Sequence, residues 1–226
     1  MGPDPAQQSR EIPASAEAKA AFLLRMRAKG IRDLDVLRAL EIVPRELFVP
    51  HRYADLASRD LALPIACGQT LPEPFFVARM MEALKLKRDH RVLEIGTGSG
   101  YATAILAQLT REVMSIERFQ TLAVEARTRL EQLAIGNAAV AWGDGLAVPP
   151  EAGLFDRIIV QCALTEVPQR LIEMLTEDGV LVMARGDAKA GQTLWRITRD
   201  AEGKLTEAAI CPSRFQAILP GLARAL

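Results

Sequence analysis

"LEIGTGSGYA", residues 93–102, joins an apolar run to a helical pattern through three glycines set at two-residue intervals. A glycine-rich turn between a first strand and its helix lets backbone come within contact distance of a ligand, and the helix N-terminus beyond it offers unpaired N–H groups. Spacing narrows the ligand. Dinucleotide folds use G-x-G-x-x-G, whereas Gly96, Gly98 and Gly100, with Thr97 and Ser99 between them, give G-x-G-x-G and leave Tyr101 where the third nucleotide glycine falls. No Gly-Lys-Ser/Thr follows, so a P-loop is not supported. On this motif alone, a tight turn with no ligand is the lesser alternative.

The segments on either side repeat one rhythm. A helix is expected at 75–86, a strand at 91–95, a helix at 100–109, a strand at 112–117 and a helix at 119–133. A strand follows near 138–142, then "RIIVQC" at 157–162, a helix at 168–176 and "VLVMA" at 180–184. Strands that are apolar throughout, alternating with amphipathic helices, indicate an α/β, doubly wound, mostly parallel sheet covered on both faces. "TLWRITRD" and "LTEAAICPSRF" lack an intervening helix and predict an antiparallel finish. Ahead of the sheet, residues 1–16 read as a loose tail, and helices are expected at 17–29, stopped by Gly30, and at 33–41. Residues 44–74 hold five prolines and form a structured loop region, so the chain divides into a tail (1–16), a helical and loop region (17–74) and a ligand-binding domain (75–226) within one structural unit.

Two further elements fall at carboxyl ends of neighbouring strands, where open α/β sheets bind ligands. "SIERF" puts Glu117, followed by Arg118, about twenty residues past the first glycine, where a carboxylate can accept hydrogen bonds from both hydroxyls of a ribose. "WGDGLAVPP" puts Asp144 between Gly143 and Gly145, able to turn toward the exocyclic amine of adenine. Singly, Glu117 reads as a solvated strand end and Asp144 as an ordinary turn. Together with the glycine turn they describe a grip on ribose and base with no demand for phosphate. S-adenosylmethionine fits that description, and Glu94 can hold its cationic tail indirectly.

Composition removes other classes. Twenty-eight basic and twenty-eight acidic side chains cancel, which withholds the field that draws proteins to nucleic acid or anionic membranes. No apolar run approaches the ~18 residues needed to cross a bilayer. Cys67, Cys162 and Cys211 lack CxxC spacing and lie far in sequence from His51 and His90, so neither a disulfide framework nor a metal site is expected. The opening residues do not resemble a secretory signal. A cytoplasmic setting is expected, as a monomer or weak dimer.

The chain resembles the protein-L-isoaspartate O-methyltransferases, within the class I methyltransferases. The likeness starts at "VPRELFVP" (43–50) and continues through "LALPIACGQTLPEP" (61–74), which is similar to the family's "PLPIGYGQTISQP". It then runs through "VLEIGTGSGYATAILAQL" (92–109), the GDG turn, "FDRIIVQCALTEVPQRLIEML" (155–175) and "LTEDGVLVMARGD" (175–187). The resemblance implies a mostly parallel seven-stranded sheet, S-adenosylmethionine as methyl donor with S-adenosylhomocysteine as product, and methylation of the free α-carboxylate of L-isoaspartyl residues in damaged proteins. It implies donor contacts from Glu94, Gly96, Thr97, Gly98, Ser99, Gly100, Glu117, Arg118, Gly143, Asp144, Gly145 and Gln161, and acceptor contacts at Gln69, Thr70 and Pro72. No general base is needed, because a carboxylate with a pKa near ~4 is already an anion at neutral pH.

The departures gather on the acceptor side. Pro72 stands where the family usually has a serine credited with contacting the acceptor, and proline offers neither hydroxyl nor N–H. Ala66 and Cys67 replace a Gly-Tyr pair, Gln161 and Cys162 stand where Thr and Ala are usual, and "SRFQAILPGL" (213–222) departs from "VRFVPL". Two alternatives therefore stand beside isoaspartyl methylation: a paralogue that methylates another acceptor, and a module that binds the donor without turnover.

Overall fold

The computed structural model describes residues 16–187 and 189–223; the expected tail lies outside them except for Ala16. Helix α1 (Ala16–Ala28) ends at Gly30 (φ +97°), whose left-handed conformation lets the Ile31 N–H reach back to the Met26 carbonyl at 3.1 Å. Helix α2 (Leu34–Ile42) is capped by Asp33, whose side chain accepts from the N–H groups of Asp35 and Val36. The proline-rich stretch that follows forms short 3₁₀ turns and a two-residue ladder between β1 (Leu63–Pro64) and β2 (Thr70–Leu71). Helix α3 (Pro74–Leu84), with proline at its first position, leads into the sheet.

The elements then alternate as expected: β3 (Arg91–Ile95), α4 (Tyr101–Leu109), β4 (Glu112–Glu117), α5 (Gln120–Gln132), β5 (Ala138–Trp142), β6 (Phe155–Leu164), α6 (Gln169–Glu173), β7 (Leu175–Asp187), β8 (Gly191–Arg199) and β9 (Leu205–Ser213). The seven strands lie in the order β5-β4-β3-β6-β7-β8-β9. The first five run parallel, and β8 is antiparallel to both of its neighbours. The chain winds outward from β3 to β5 and then returns to place β6 on the other side of β3. The crevice above β3 and β6 is therefore the switch point, where such sheets bind ligands.

Side chains alternate between two cores. Val92, Val113, Ile159 and Val182 point to one face, which α1 to α5 cover; Leu93, Ile158, Val160 and Met183 point to the other. That second face is covered unevenly, by the five-residue α6 and by Val148 from the connection between β5 and β6. The helix expected at 168–176 stops early because β7 already begins at Leu175, where it pairs with Phe155. Between β7 and β8 the chain makes a hairpin in place of a crossover helix, which is why β8 reverses.

Candidate active site

β3 delivers the chain into the switch-point crevice at Gly96. Its N–H donates to the Ile116 carbonyl at 2.8 Å, so the ladder to β4 continues one residue past the strand. A Cβ at Gly96 would sit 3.3 Å from Cys162 Sγ and from Gln161 Cβ on β6, so side chain here would press on the neighbouring strand. Gly98 is also left-handed (φ +57°), and its N–H donates to Glu117 Oε2 at 2.8 Å. The other oxygen, Oε1, accepts from the Phe119 N–H at 2.9 Å. One buried carboxylate thus ties the glycine turn to the loop after β4 and still lines the cleft.

Asp144 lies at the next strand end. Its Oδ1 accepts from the Leu146 N–H at 2.9 Å, a local turn, and its Oδ2 accepts from the Gly221 N–H at 2.7 Å. The second bond comes from the carboxyl-terminal segment, which crosses the mouth as a strap. Arg118 donates from Nε to the Gly221 carbonyl at 3.2 Å, and its own carbonyl accepts from Ala223 N–H and Trp142 Nε1–H. Asp144 and Arg118 are thus both engaged by the strap. The GDG turn also fits closely beneath: a Cβ at Gly145 would fall 2.3 Å from Ile95 Cγ2.

Glu94 sits under the cleft and is fully buried. Its Oε2 accepts from the hydroxyls of Thr103 and Ser115, and its Oε1 accepts from Gln161 Nε2 at 3.3 Å. Burial pushes its pKa from 4.5 up to about 7, and the three hydrogen bonds only partly oppose that rise. Gln161 lines the cleft with its Oε1 buried and unpartnered, and Ser99 Oγ is likewise without a partner. Orphaned acceptors at a site lined by bare main chain suit a ligand bearing N–H groups. Burial raises the thiols of Cys67 and Cys162, so neither is a ready nucleophile.

The opposite wall is the loop that carries Gln69, Thr70 and Pro72, all of which line the same cleft of about 710 Å³. Gln69 is engaged within the loop, its Nε2 donating to the Cys67 carbonyl at 3.1 Å. Thr70 is exposed at the cleft. Behind them Arg45 is 5% exposed and holds the loop by its carbonyls: Nη1 donates to Ala57 at 2.8 Å, and Nη2 to Leu61 at 3.1 Å and Pro72 at 3.0 Å.

Residues 17–219 match the family described as Protein-L-isoaspartate(D-aspartate) O-methyltransferase. The chain belongs to this methyltransferase family. It is 53% identical over 208 residues to a protein-L-isoaspartate O-methyltransferase of Rhodopseudomonas palustris, covering 92% of this chain and 96% of that protein. It is 49% identical to one of a Bradyrhizobium species, covering 95% and 99%. A Plasmodium falciparum structure described as a protein-L-isoaspartate O-methyltransferase in complex with S-adenosyl-L-homocysteine shares the fold. Its TM-score is 0.77 at 24% identity, over 87% of this chain and 96% of that one. Another solved protein-L-isoaspartate O-methyltransferase gives 0.78 at 25% identity, over 90% and 67%.

Among the residues that the isoaspartyl methyltransferase pattern marks, Gly96 to Ser99, Glu117, Arg118, Asp144, Gly145 and Gln161 line the cleft together with the acceptor loop. Glu94, Gly100 and Gly143 stand behind the surface: Gly100 packs against Ala126, Gly143 against Ile116, and Glu94 is bonded to the cleft-lining Gln161. Arg45 was not singled out from the sequence, and "SRFQAILPGL" was placed on the acceptor side without naming Arg214 or Phe215 to Leu219 as site residues; all of these line or shape the site. "SRFQAILPGL" was visible as a divergent ending, but nothing local shows that it returns across the sheet to Asp144.

Proposed function

We infer that this protein transfers a methyl group from S-adenosylmethionine to the α-carboxylate of L-isoaspartyl residues in damaged proteins. The observation that carries the reading is the cleft above β3 and β6, walled on one side by the Glu117-anchored glycine turn and on the other by the Gln69–Thr70–Pro72 loop of an isoaspartyl methyltransferase. The residues fit the donor: Glu117 keeps lone pairs for a ribose, Gln161 Oε1 and Ser99 Oγ offer unpartnered acceptors, and the glycines leave main chain bare. When bound, the donor supplies an electrophilic methyl on a sulfonium. Asp144 is assigned to the base edge, with Arg118 and Gly143 shaping that end and Glu94 orienting Gln161 from below.

Catalysis then consists of positioning and exclusion of water. The acceptor arrives as an anion, so no side chain has to remove a proton. Thr70 donates its hydroxyl to that anion, Gln69 stiffens the loop from which it projects, and Pro72 closes the loop against Arg45. Phe215, Ile218 and Leu219 on the strap and Tyr101 below supply the apolar cover that keeps water out. Among the described residues no helix is long and apolar enough to cross a membrane. We place the protein in the cytoplasm, acting on isoaspartyl proteins as a monomer or weak dimer, consistent with its unpaired cysteines and zero net charge.

The test is labelled donor with an isoaspartyl peptide beside its aspartyl twin. Label on the isoaspartyl peptide alone is expected. Donor binding with transfer to neither peptide would overturn the assignment in favour of another acceptor or a non-catalytic module.

A further inference from the structure

We propose that Arg214 is the cation that receives the acceptor carboxylate, doing the work for which Pro72 has no donor. The inference rests on the isoaspartyl reading above and adds a residue that sets acceptor specificity.

An anion entering this cleft meets few free donors. Pro72 lacks both hydroxyl and N–H, and Gln69 has its amide engaged on the Cys67 carbonyl. That leaves the Thr70 hydroxyl among these three side chains. The entering anion also meets like charge, because Glu73, Glu117 and Asp144 line the same cleft. A carboxylate brought beside them in a water-poor space needs an opposite charge.

Two arginines line the cleft. Arg118 is engaged at the donor end, donating to the Gly221 carbonyl and stacking 5.3 Å from the Phe119 ring centroid. Arg45 lies behind the loop with its Nη atoms on four carbonyls. Arg214 is different. Among the described residues its side chain has no hydrogen-bond, ion-pair or ring partner, and it is exposed. Its backbone is nevertheless anchored. The Phe215 N–H donates to Gln192 Oε1 at 2.6 Å and the Phe215 carbonyl accepts from Gln192 Nε2 at 3.0 Å. The Phe215 ring packs edge-on 5.9 Å from Phe76, at the start of α3 just beyond Pro72. One residue further, Gln216 Nε2 donates to the Gly68 carbonyl at 3.2 Å, tying the strap to the acceptor loop itself. A free guanidinium on a fixed base, beside the acceptor loop, matches the planar two-oxygen geometry of a carboxylate.

Charge changes during the reaction add a consequence. The acceptor enters as an acid anion and leaves as a neutral ester, so Arg214 favours the substrate over the product and helps release.

The experiment compares the full-length wild type with Arg214→Ala and Arg214→Lys. Arg214→Ala is expected to raise KM for an isoaspartyl peptide about tenfold or more, the scale of a lost charge-assisted hydrogen bond. S-adenosylhomocysteine affinity by calorimetry is expected to stay within about twofold, and Arg214→Lys to recover part of the loss. Peptide binding in the presence of S-adenosylhomocysteine supplies a readout that general damage would not move: wild type prefers the acid peptide to its methyl ester, and Arg214→Ala binds both alike. An unchanged KM, a persisting acid preference, or an equal loss of S-adenosylhomocysteine affinity overturns the proposal while leaving isoaspartyl methylation intact. Failure of the wild type to methylate the peptide overturns both.

Discussion

Replacing Glu94 by glutamine tests the buried network under the cleft. Burial raises the folded-state pKa of this carboxylate above its unfolded value, from 4.5 to about 7. The stability it contributes is therefore fully present below pH 4.5 and is lost as the pH rises through about 7. A tenfold change in proton affinity is worth about 1.4 kcal/mol, so the wild type forfeits about 3 kcal/mol between acid and mildly alkaline pH. Glu94→Gln removes the ionisation and keeps the shape. Its carbonyl oxygen can accept from Thr103 and Ser115, and its new amide can donate to Gln161 Oε1, unpartnered in the wild type, once the Gln161 amide turns over. Melting temperatures of both proteins are measured from pH 5 to pH 8.5, and the difference between them is followed, so that other titrating groups cancel. The difference is expected to be small at pH 5 and to widen in favour of the variant by about 6–12 °C at the alkaline end, from about 2–4 °C per kcal/mol for a chain of this size. A difference that stays constant or narrows as the pH rises would refute the reasoning.

Glu117→Gln leaves one acceptor oxygen for two N–H groups, those of Gly98 and Phe119, and turns an amide N–H₂ against the other. A loss of about 1–3 kcal/mol in denaturant unfolding and weaker S-adenosylhomocysteine binding by calorimetry are expected; unchanged values in both would mean that the turn is held by other contacts. Gly145→Ala places a Cβ 2.3 Å from Ile95 Cγ2, on a β-branched side chain fixed in β3. Such overpacking costs about 1–3 kcal/mol and tilts the GDG turn, so a melting temperature equal to that of the wild type would contradict the close fit.

Much of this arrangement was legible because its signals are local. Apolar runs such as "RVLEI" and "RIIVQC" carry their own length and period, and the glycine turn sits next to the strand that delivers it. The place of Glu117 at the cleft was legible because it depends on a fixed step along the sheet from β3 to β4. The rest depends on long reach. Arg45 lies 27 residues from the Pro72 carbonyl it holds, and in sequence it reads as an ordinary charge within a proline-rich stretch. Gly221 lies 77 residues from Asp144, and no pattern around either announces the bond. Gln69 fits the family motif as an acceptor contact, yet its amide turns inward because the carbonyl of Cys67, held left-handed at φ +57°, comes within reach. The antiparallel finish was legible because no helix separates the last strands, whereas the thin cover on the second face was hidden, since nothing at 168–176 shows that β7 begins at Leu175 and leaves α6 five residues.

The strap also bears on how the protein is handled. A purification handle fused downstream of Ala223 begins within a few residues of the bonds to Arg118 and Asp144, so its bulk and charge hang over the methyl-donor entrance. Cleaving such a handle should therefore change how fast the protein exchanges donor for product.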